Sequence, residues 1–303
     1  MAKLNRFQRE IQSIINKNEK DAQRSLYRAY LDLEKDIQKE LKILSSRIED
    51  DSGFSVELQR ARLSEIYLQV VNKLEDLEPY QTRTVHKMLE RNYKSSYSSI
   101  FYEVESDFKI KTAFTMLPER RINTAIYTPV AGRVFSERLK GHTQTLKRNM
   151  NRILTRGYAS GESIPMMAKR ISREAETTYN RARRIAITES GRVTGTADQQ
   201  SQQEAKQMGI DLQKMWVSTL DDNTRNSHRQ LDSQVVGVDE YFEIDGKKTL
   251  QPHLFGDPAE DCNCRCRSVS VVEGISPSLR RDNITGSVIP WKNYEEWADT
   301  KDL

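Results

Sequence analysis

The sequence predicts a mainly α-helical protein: long helices over the N-terminal two thirds, then a small α+β unit with a β-hairpin and a closing strand. Three observations carry this. Apolar residues recur at helical spacing through the first hundred positions. The composition, 36% hydrophobic and 30% charged with a mean hydropathy of -0.75, suits long helices with wide polar faces better than a sandwich. After Gly209 the texture changes to short alternating stretches and turn signals.

The elements follow in order. Leu26, Tyr30, Leu33, Ile37, Leu41, Leu44 and Ile48 are spaced three or four apart, in a pattern that repeats over eleven residues. Such a pattern lays one apolar stripe along a nearly straight helix, and Asp50 to Gly53 stop it. Ser55 is placed to cap a second helix whose inner face is Leu63, Ile66, Tyr67, Val70, Leu74 and Leu77; Pro79 is expected to end it. A third helix from about Gln81 puts Val85, Met88, Leu89, Tyr93, Tyr97, Ile100, Phe101 and Val104 on one side. These stripes read as core or helix–helix contacts.

Pro118, Pro129, Gly132 and Gly141 punctuate short helical stretches over residues 109–160. A helix start follows: Gly161, a Ser163 cap and Pro165 in the first turn. That helix runs to about Met208, with Gly191 and Gly195 as weak points and Gly209 as its C-cap. Beyond it, KMWVSTL reads as a strand and DDNTRNSHRQLD as a turn and a short helix capped near Asn223 or Thr224. EYFEIDGKKTL reads as a hairpin on its Asp-Gly turn, and CRCRSVSVV as a closing strand. The expected organisation is a long-helix region (1–110), a basic helical region (111–209), a small α+β unit (210–275) and an extended arm with aromatic anchors (276–303).

The net charge of +4 hides an asymmetry: residues 109–184 carry 17 Lys and Arg against 5 Asp and Glu, a net +12, whereas 185–303 carry 13 against 20, a net -7. Arg120, Arg121, Lys147, Arg148, Lys169, Arg170, Arg181, Arg183 and Arg184 are candidates for phosphate contacts without sequence readout. The alternative is an ordinary solvated helix face. No run of apolar residues reaches membrane-span length, and the charged N-terminus does not read as a secretory signal.

All 3 cysteines, Cys262, Cys264 and Cys266, fall within DCNCRC. An odd cluster is no disulfide framework, so folding is expected in a reducing cytoplasm. A structural zinc site of Cys264, Cys266 and His228, with Cys262 or His253 as a fourth ligand, is chemically reasonable. The alternative is a strand whose cysteines pack as small hydrophobes. Glu189, Asp221, Asp222 and Asp232 near His228 raise the further reading of a metal-dependent nuclease or toxin-like effector. No nucleophile elbow, phosphate loop, dinucleotide fingerprint or HExxH is present, and no enzyme is expected.

The succession RVFSERL, GYASGESIPMMAKRI, ARRIAITES, KMWVSTLDDNTRNSHRQLD, a hairpin and NCRC resembles the phage Mu F-like minor head protein family, from about Arg133 to Val272. Trp216, Asp221, Arg225, His228, Asp232, Asn263, Cys264 and Cys266 are the specific part of that resemblance. It implies a minor capsid protein of a tailed phage, inside the head near the portal and assembled in the host cytoplasm. It implies a role in head morphogenesis and in genome packaging or DNA ejection. The implied partners are the portal protein, a major capsid or scaffolding protein, and double-stranded DNA bound nonspecifically, with no membrane. Cys262 lies outside the family's NCRC, and Ser233 stands where a glycine is expected after the Leu-Asp step.

Overall fold

The structure is a computed structural model that describes residues 6–50, 56–108, 117–130, 132–272 and 279–301. It is mainly helical, with short antiparallel strands near the C-terminus, as the sequence predicts. Contacts group the chain into two units that cut across the expected sequential segments: Lys20–Lys87 with Arg133–Ala186, and Met1–Glu19 with Met88–Gly132 and Ile187–Leu303.

The first of these is all helix. It is built from α1 (Arg6–Asp50) beyond Glu19, α2 (Val56–Phe108) as far as Lys87, α4 (Phe135–Ala159) and the start of α5 (Ile164–Gln207). The α1 stripe is buried as its spacing requires, Leu26 and Leu41 completely. On α2, Leu63, Ile66, Val70, Leu74 and Leu77 face inward and Tyr67 is half-buried. One polar chain threads this core. The Tyr30 hydroxyl donates to Gln81 Oε1 at 3.0 Å, and Gln81 Nε2 donates to Thr143 Oγ1 at 2.7 Å. Residues 51–53 of the expected helix stop, Ser55, and the side chains of Ile48 and Val104 lie outside the described residues.

Pro79 does not end a helix; α2 passes through it. An interior proline costs about 3 kcal/mol. Burial of an apolar side chain returns about 1.5–3 kcal/mol each, and Leu74, Leu77 and Val85 flank the proline while its own ring faces solvent. Gly141 likewise sits inside α4 and does not break it.

The second unit adds α3 (Glu119–Ile126) and the C-terminal half of α5 to a small sheet. From Thr188 to Ala197 nearly every α5 residue is buried, polar ones included. Gly191 and Gly195 are contact points and not weak points. A Cβ at Gly191 would meet the His253 ring at 2.3 Å, and one at Gly195 would meet the Pro252 carbonyl at 2.7 Å. Gly209 closes α5 at φ +88, with the Gly209 N–H donating to the Lys206 carbonyl at 2.9 Å.

β1 (Leu212–Val217) lies between β2 (Val235–Gly237) and β5 (Arg267–Val272), both antiparallel to it. β3 (Phe242–Ile244) and β4 (Lys247–Thr249) form the predicted hairpin, with Asp245 and Gly246 both at positive φ, as a type I′ turn demands. α6 (Asn226–Leu231) starts from Arg225, beyond the expected caps Asn223 and Thr224, because the Thr224 hydroxyl is spent on the Thr219 carbonyl at 2.5 Å.

Two further expectations are corrected. The NCRC segment is not a strand: α7 (Pro258–Asp261) leads into a turn at Asn263, φ +57, and β5 begins only at Arg267. The tail is not an extended arm. β6 (Leu279–Arg281) pairs with β7 (Val288–Pro290), and α8 (Tyr294–Asp299) follows behind an Asn293–Glu296 capping box. Tyr294, Trp297 and Leu220 form a buried cluster, so the tail's aromatics are core residues of the unit.

Candidate functional site

The site grows from a short stretch of backbone. Past the turn at Asn263 the next three residues alternate buried, exposed, buried. Cys264 and Cys266 point inward and are buried, while Arg265 points out and grips Asp221, Nη2 donating to Oδ1 at 2.8 Å. Burial opposes the charge on Asp221, yet Arg265 and Thr224 hold its carboxyl below the usual range. Arg225 donates to the Cys262 carbonyl from the other side. The asparagine and both arginines of the motif thus fix the path of the backbone.

α6 brings His228 to the two thiols. Its Nδ1 lies 3.5 Å from Cys264 Sγ and 3.4 Å from Cys266 Sγ. The three ligand-capable atoms lie within 4.8 Å of one another, and all three side chains are buried. Trp216, Leu231 and Phe242 complete this core, and the Phe255 ring stacks on the imidazole at 6.0 Å. Two hydrogen bonds tie α6 to β1: Trp216 Nε1 donates to Ser218 Oγ at 3.1 Å, and that hydroxyl donates to the His228 carbonyl at 2.6 Å.

On its far side, His228 Nε2 is 3.1 Å from Glu260 Oε2, close enough for an ion pair though not aligned for an N–H hydrogen bond. Glu260 also accepts from Lys247 Nζ at 2.7 Å and Ser227 Oγ at 3.0 Å. Burial opposes its ionisation, but Lys247 and Ser227 hold its carboxyl below the usual range. Burial pushes the Cys264 thiol well up. It also opposes ionisation of Cys266, but contacts with Cys264 and His228 hold that thiol well down. The trio can therefore offer two sulfurs and one imidazole nitrogen to a thiophilic cation.

Cys262 and His253 stand outside this group, Cys262 half-buried at the end of α7. His253 Nε2 lies 3.1 Å from the Cys266 carbonyl, which calls for the proton on Nε2. Burial, with the Arg267 charge beside it, pulls His253 down to about 3, so the ring is neutral. His86 and His142 sit on α2 and α4, also outside the group.

Of the carboxylates that suggested catalysis, Asp222 is exposed and accepts from Asn223 Nδ2 at 3.0 Å, and the others are held by arginines. Asp232 Oδ1 accepts from the Ser218 N–H at 2.6 Å, and its Oδ2 accepts from Arg280 Nη1 at 2.7 Å. Arg225, His228 and Asp232 have different partners: the Cys262 carbonyl, the two thiols and Arg280 respectively. Glu189 is paired with Arg192 at 2.7 Å, in the buried part of α5. Ser233 adopts φ +67, so the left-handed turn that a glycine would favour is kept with a serine in it.

Sequence reasoning missed Glu260, although it lies only two residues before Cys262, because acidic side chains beside a turn are unremarkable. It also missed Arg280, which reaches Asp232 across 48 residues and leaves no periodic signal. The buried amides are a third omission: Gln251 Nε2 donates to Gln199 Oε1 at 3.0 Å and to Gln202 Oε1 at 2.8 Å.

The candidate phosphate-binding cations lie on helices and most are exposed, but they fall in two units. Arg120 and Arg121 belong with the sheet; Lys147, Arg148, Lys169, Arg170, Arg181, Arg183 and Arg184 belong with the helical unit. Several are paired, Arg121 to Glu204 at 2.9 Å, Lys147 to Glu75 at 3.5 Å and Arg170 to Glu162 at 2.6 Å. Among the described residues no helix is long and apolar enough to cross a membrane.

Comparison with known proteins gives three relatives. An NAD(+)--arginine ADP-ribosyltransferase EFV of Enterococcus faecalis is 33% identical over 98% of this chain; the alignment spans 61% of that protein, so about two fifths of the relative is unmatched. The minor head protein GP7 of Bacillus phage SPP1 is 29% identical over 72% of both chains. An uncharacterized Haemophilus influenzae protein is 27% identical over 44% of this chain and 27% of its own length. No solved structure matches. Residues 148–269, which hold α5, β1, α6, the hairpin, His228 and both inward cysteines, match the family model for Phage Mu protein F like protein. Over this region the chain is similar to the phage Mu F-like family, and the SPP1 minor head protein is a relative of the same kind.

Proposed function

We propose that this chain is a minor capsid protein of a tailed-phage virion, bound near the portal, that acts in procapsid assembly and then in genome packaging or DNA ejection. The observation that carries this is the alignment with the SPP1 minor head protein over 72% of each chain, together with the family-model match over residues 148–269. The partners in this reading are the portal protein and a major capsid or scaffolding protein. Assembly takes place in the host cytoplasm. A structural role is also supported by Asp221 and Asp232, which are held by Arg265 and Arg280, and by Glu260, which is held by Lys247.

The exposed basic helices support a further contact with double-stranded DNA through phosphates alone. Such binding has a salt slope of roughly -0.9 per phosphate neutralised and no base preference. Replacing Arg181, Arg183 and Arg184 together by glutamate is expected to flatten that slope in a gel-shift titration, without unfolding the helix. Co-expression with the portal protein of the same phage, followed by copy counting in purified virions, tests the main reading. Absence from virions and procapsids alike would refute it.

The enterococcal relative's name supports a second reading, arginine ADP-ribosylation, on the strength of 33% identity across 98% of this chain. Transfer of label from NAD to an arginine-rich acceptor, above a no-protein control, would establish it. The first reading expects none.

A further inference from the structure

We propose that Cys264, Cys266 and His228 hold one zinc ion, with the ring coordinating through Nδ1 and a water as the fourth ligand. Three independent observations point there. The first is a set of distances. With Zn–S near 2.3 Å and Zn–N near 2.0–2.1 Å, a tetrahedral site has an N···S edge of about 3.5 Å. The two N···S separations here are 3.5 and 3.4 Å. A thiol donating to an imidazole would give one such contact. A neutral imidazole nitrogen has a single lone pair in the ring plane, so two sulfurs converging on the same nitrogen are what a shared cation produces.

The second observation is the far side of the ring. Nε2 faces the Glu260 carboxylate at 3.1 Å, and metal-bound histidines commonly set their other nitrogen against a carboxylate. That charge favours the proton on Nε2 and leaves Nδ1 bare, which is the tautomer a ligand needs. Glu260 is itself anchored by Lys247 and Ser227, so the ring has an orienting shell around it.

The third is charge. Two thiolates balance a divalent cation, so the filled site is neutral among Trp216, Phe242 and Phe255, where an uncompensated charge would be costly. Cys262 is excluded from the ligand set, since it lies outside the convergent group.

The test uses the full chain, purified under reducing conditions and loaded with zinc or with cobalt. The expected result is one equivalent of zinc per chain by elemental analysis, and a sulfur-to-cobalt charge-transfer band with the intense visible bands of four-coordinate cobalt. Cys262→Ser is expected to keep both the stoichiometry and the spectrum, whereas Cys266→Ser is expected to weaken binding at least tenfold. A chelator should lower Tm, and added zinc should restore it. If Cys266→Ser fails to fold, the wild-type cobalt spectrum and the Cys262→Ser stoichiometry still decide the matter. Less than a tenth of an equivalent of zinc after loading, an octahedral cobalt spectrum, or loss of binding on Cys262→Ser would each overturn the proposal. So would a Cys264–Cys266 disulfide persisting in the reduced protein.

Discussion

The helical unit and the unit that holds the sheet stand on different physics. In the first, the core is a set of apolar stripes, Leu26 to Leu44 on α1 and Leu63 to Leu77 on α2, with one short polar chain through Tyr30, Gln81 and Thr143. Stabilisation there comes mostly from area removed from water, which is non-directional and tolerates repacking. In the second, the buried side chains include those of Lys214, Gln251, Asp232, Arg280, His228 and His253. Each has a named partner: Lys214 Nζ, for instance, donates to the Val238 carbonyl at 2.8 Å and to Gln199 Oε1 at 3.1 Å. Directional contacts of this sort specify one arrangement and fail abruptly when one member is lost. The family region lies largely in that second kind of structure.

The sharpest way to break the comparison is to remove one member from each core. Asp232→Ala leaves Arg280 buried without its charge partner, in a pair whose side chains are only 1–2% exposed, and is expected to cost about 3–5 kcal/mol. Leu41→Ala leaves a cavity in the helical unit and is expected to cost about 2–5 kcal/mol. The difference lies in rescue. A larger neighbour can refill the leucine cavity, while only a carboxylate can recover the Asp232 loss, so Asp232→Glu should recover more than Asp232→Leu in urea denaturation.

A smaller contrast comes from two helical glycines. Gly191→Ala drives a methyl into the His253 ring and is expected to cost about 1–3 kcal/mol. Gly141→Ala meets nothing within 4 Å on α4 and should gain about 0.5–1 kcal/mol from helix propensity alone. Opposite signs in thermal melts of the two variants would support this contrast, and the same sign would remove it.

Acid sensitivity supplies the third. Burial raises the Asp198 carboxyl to about 6, against an opposing hydrogen bond from Ser96 and the nearby Arg267 charge. A raised folded-state pKa means its favourable contribution is complete below the ordinary aspartate pKa and lost as pH rises through about 6. At neutral pH the carboxylate is therefore charged at a cost. Asp198→Asn should stabilise by about 1–2 kcal/mol above pH 7, a figure reduced for the partial exposure of the side chain, and the gain should vanish towards pH 4. Urea midpoints across that range would check it.

The smallest effect is at the left-handed turn. Ser233 holds φ +67 and its N–H donates to the Trp216 carbonyl at 2.9 Å. Ser233→Gly relieves the Cβ penalty at the cost of chain entropy, and should gain about 0.5–1 kcal/mol with an unchanged near-ultraviolet spectrum.

The helices were legible because burial on one face imposes a period that any reader of the sequence can count. Leu26 to Leu44 and the Asp245-Gly246 hairpin turn are cases where a local rule suffices. Local rules failed wherever tertiary contacts outweighed them. Pro79 reads as a stop, yet the helix continues because its neighbours are buried. Gly191 and Gly195 read as weak points, yet they are where the 251–254 segment packs against α5. The tail reads as an arm because short strands separated by turn residues carry little periodicity, and Trp297 is fully buried all the same.

By itself the sequence determined the helical class, the apolar faces, the hairpin, and the residues His228, Cys264 and Cys266, because these depend on composition and on periods of two and 3.6. Only the tertiary structure decided that the three side chains meet at one nitrogen, that Cys262 and His253 stand apart from them, and that Glu260 and Arg280 complete the surroundings. Those are contacts between side chains tens of residues apart. Their geometry is set by how α6, α7 and the strands pack, which no local pattern encodes.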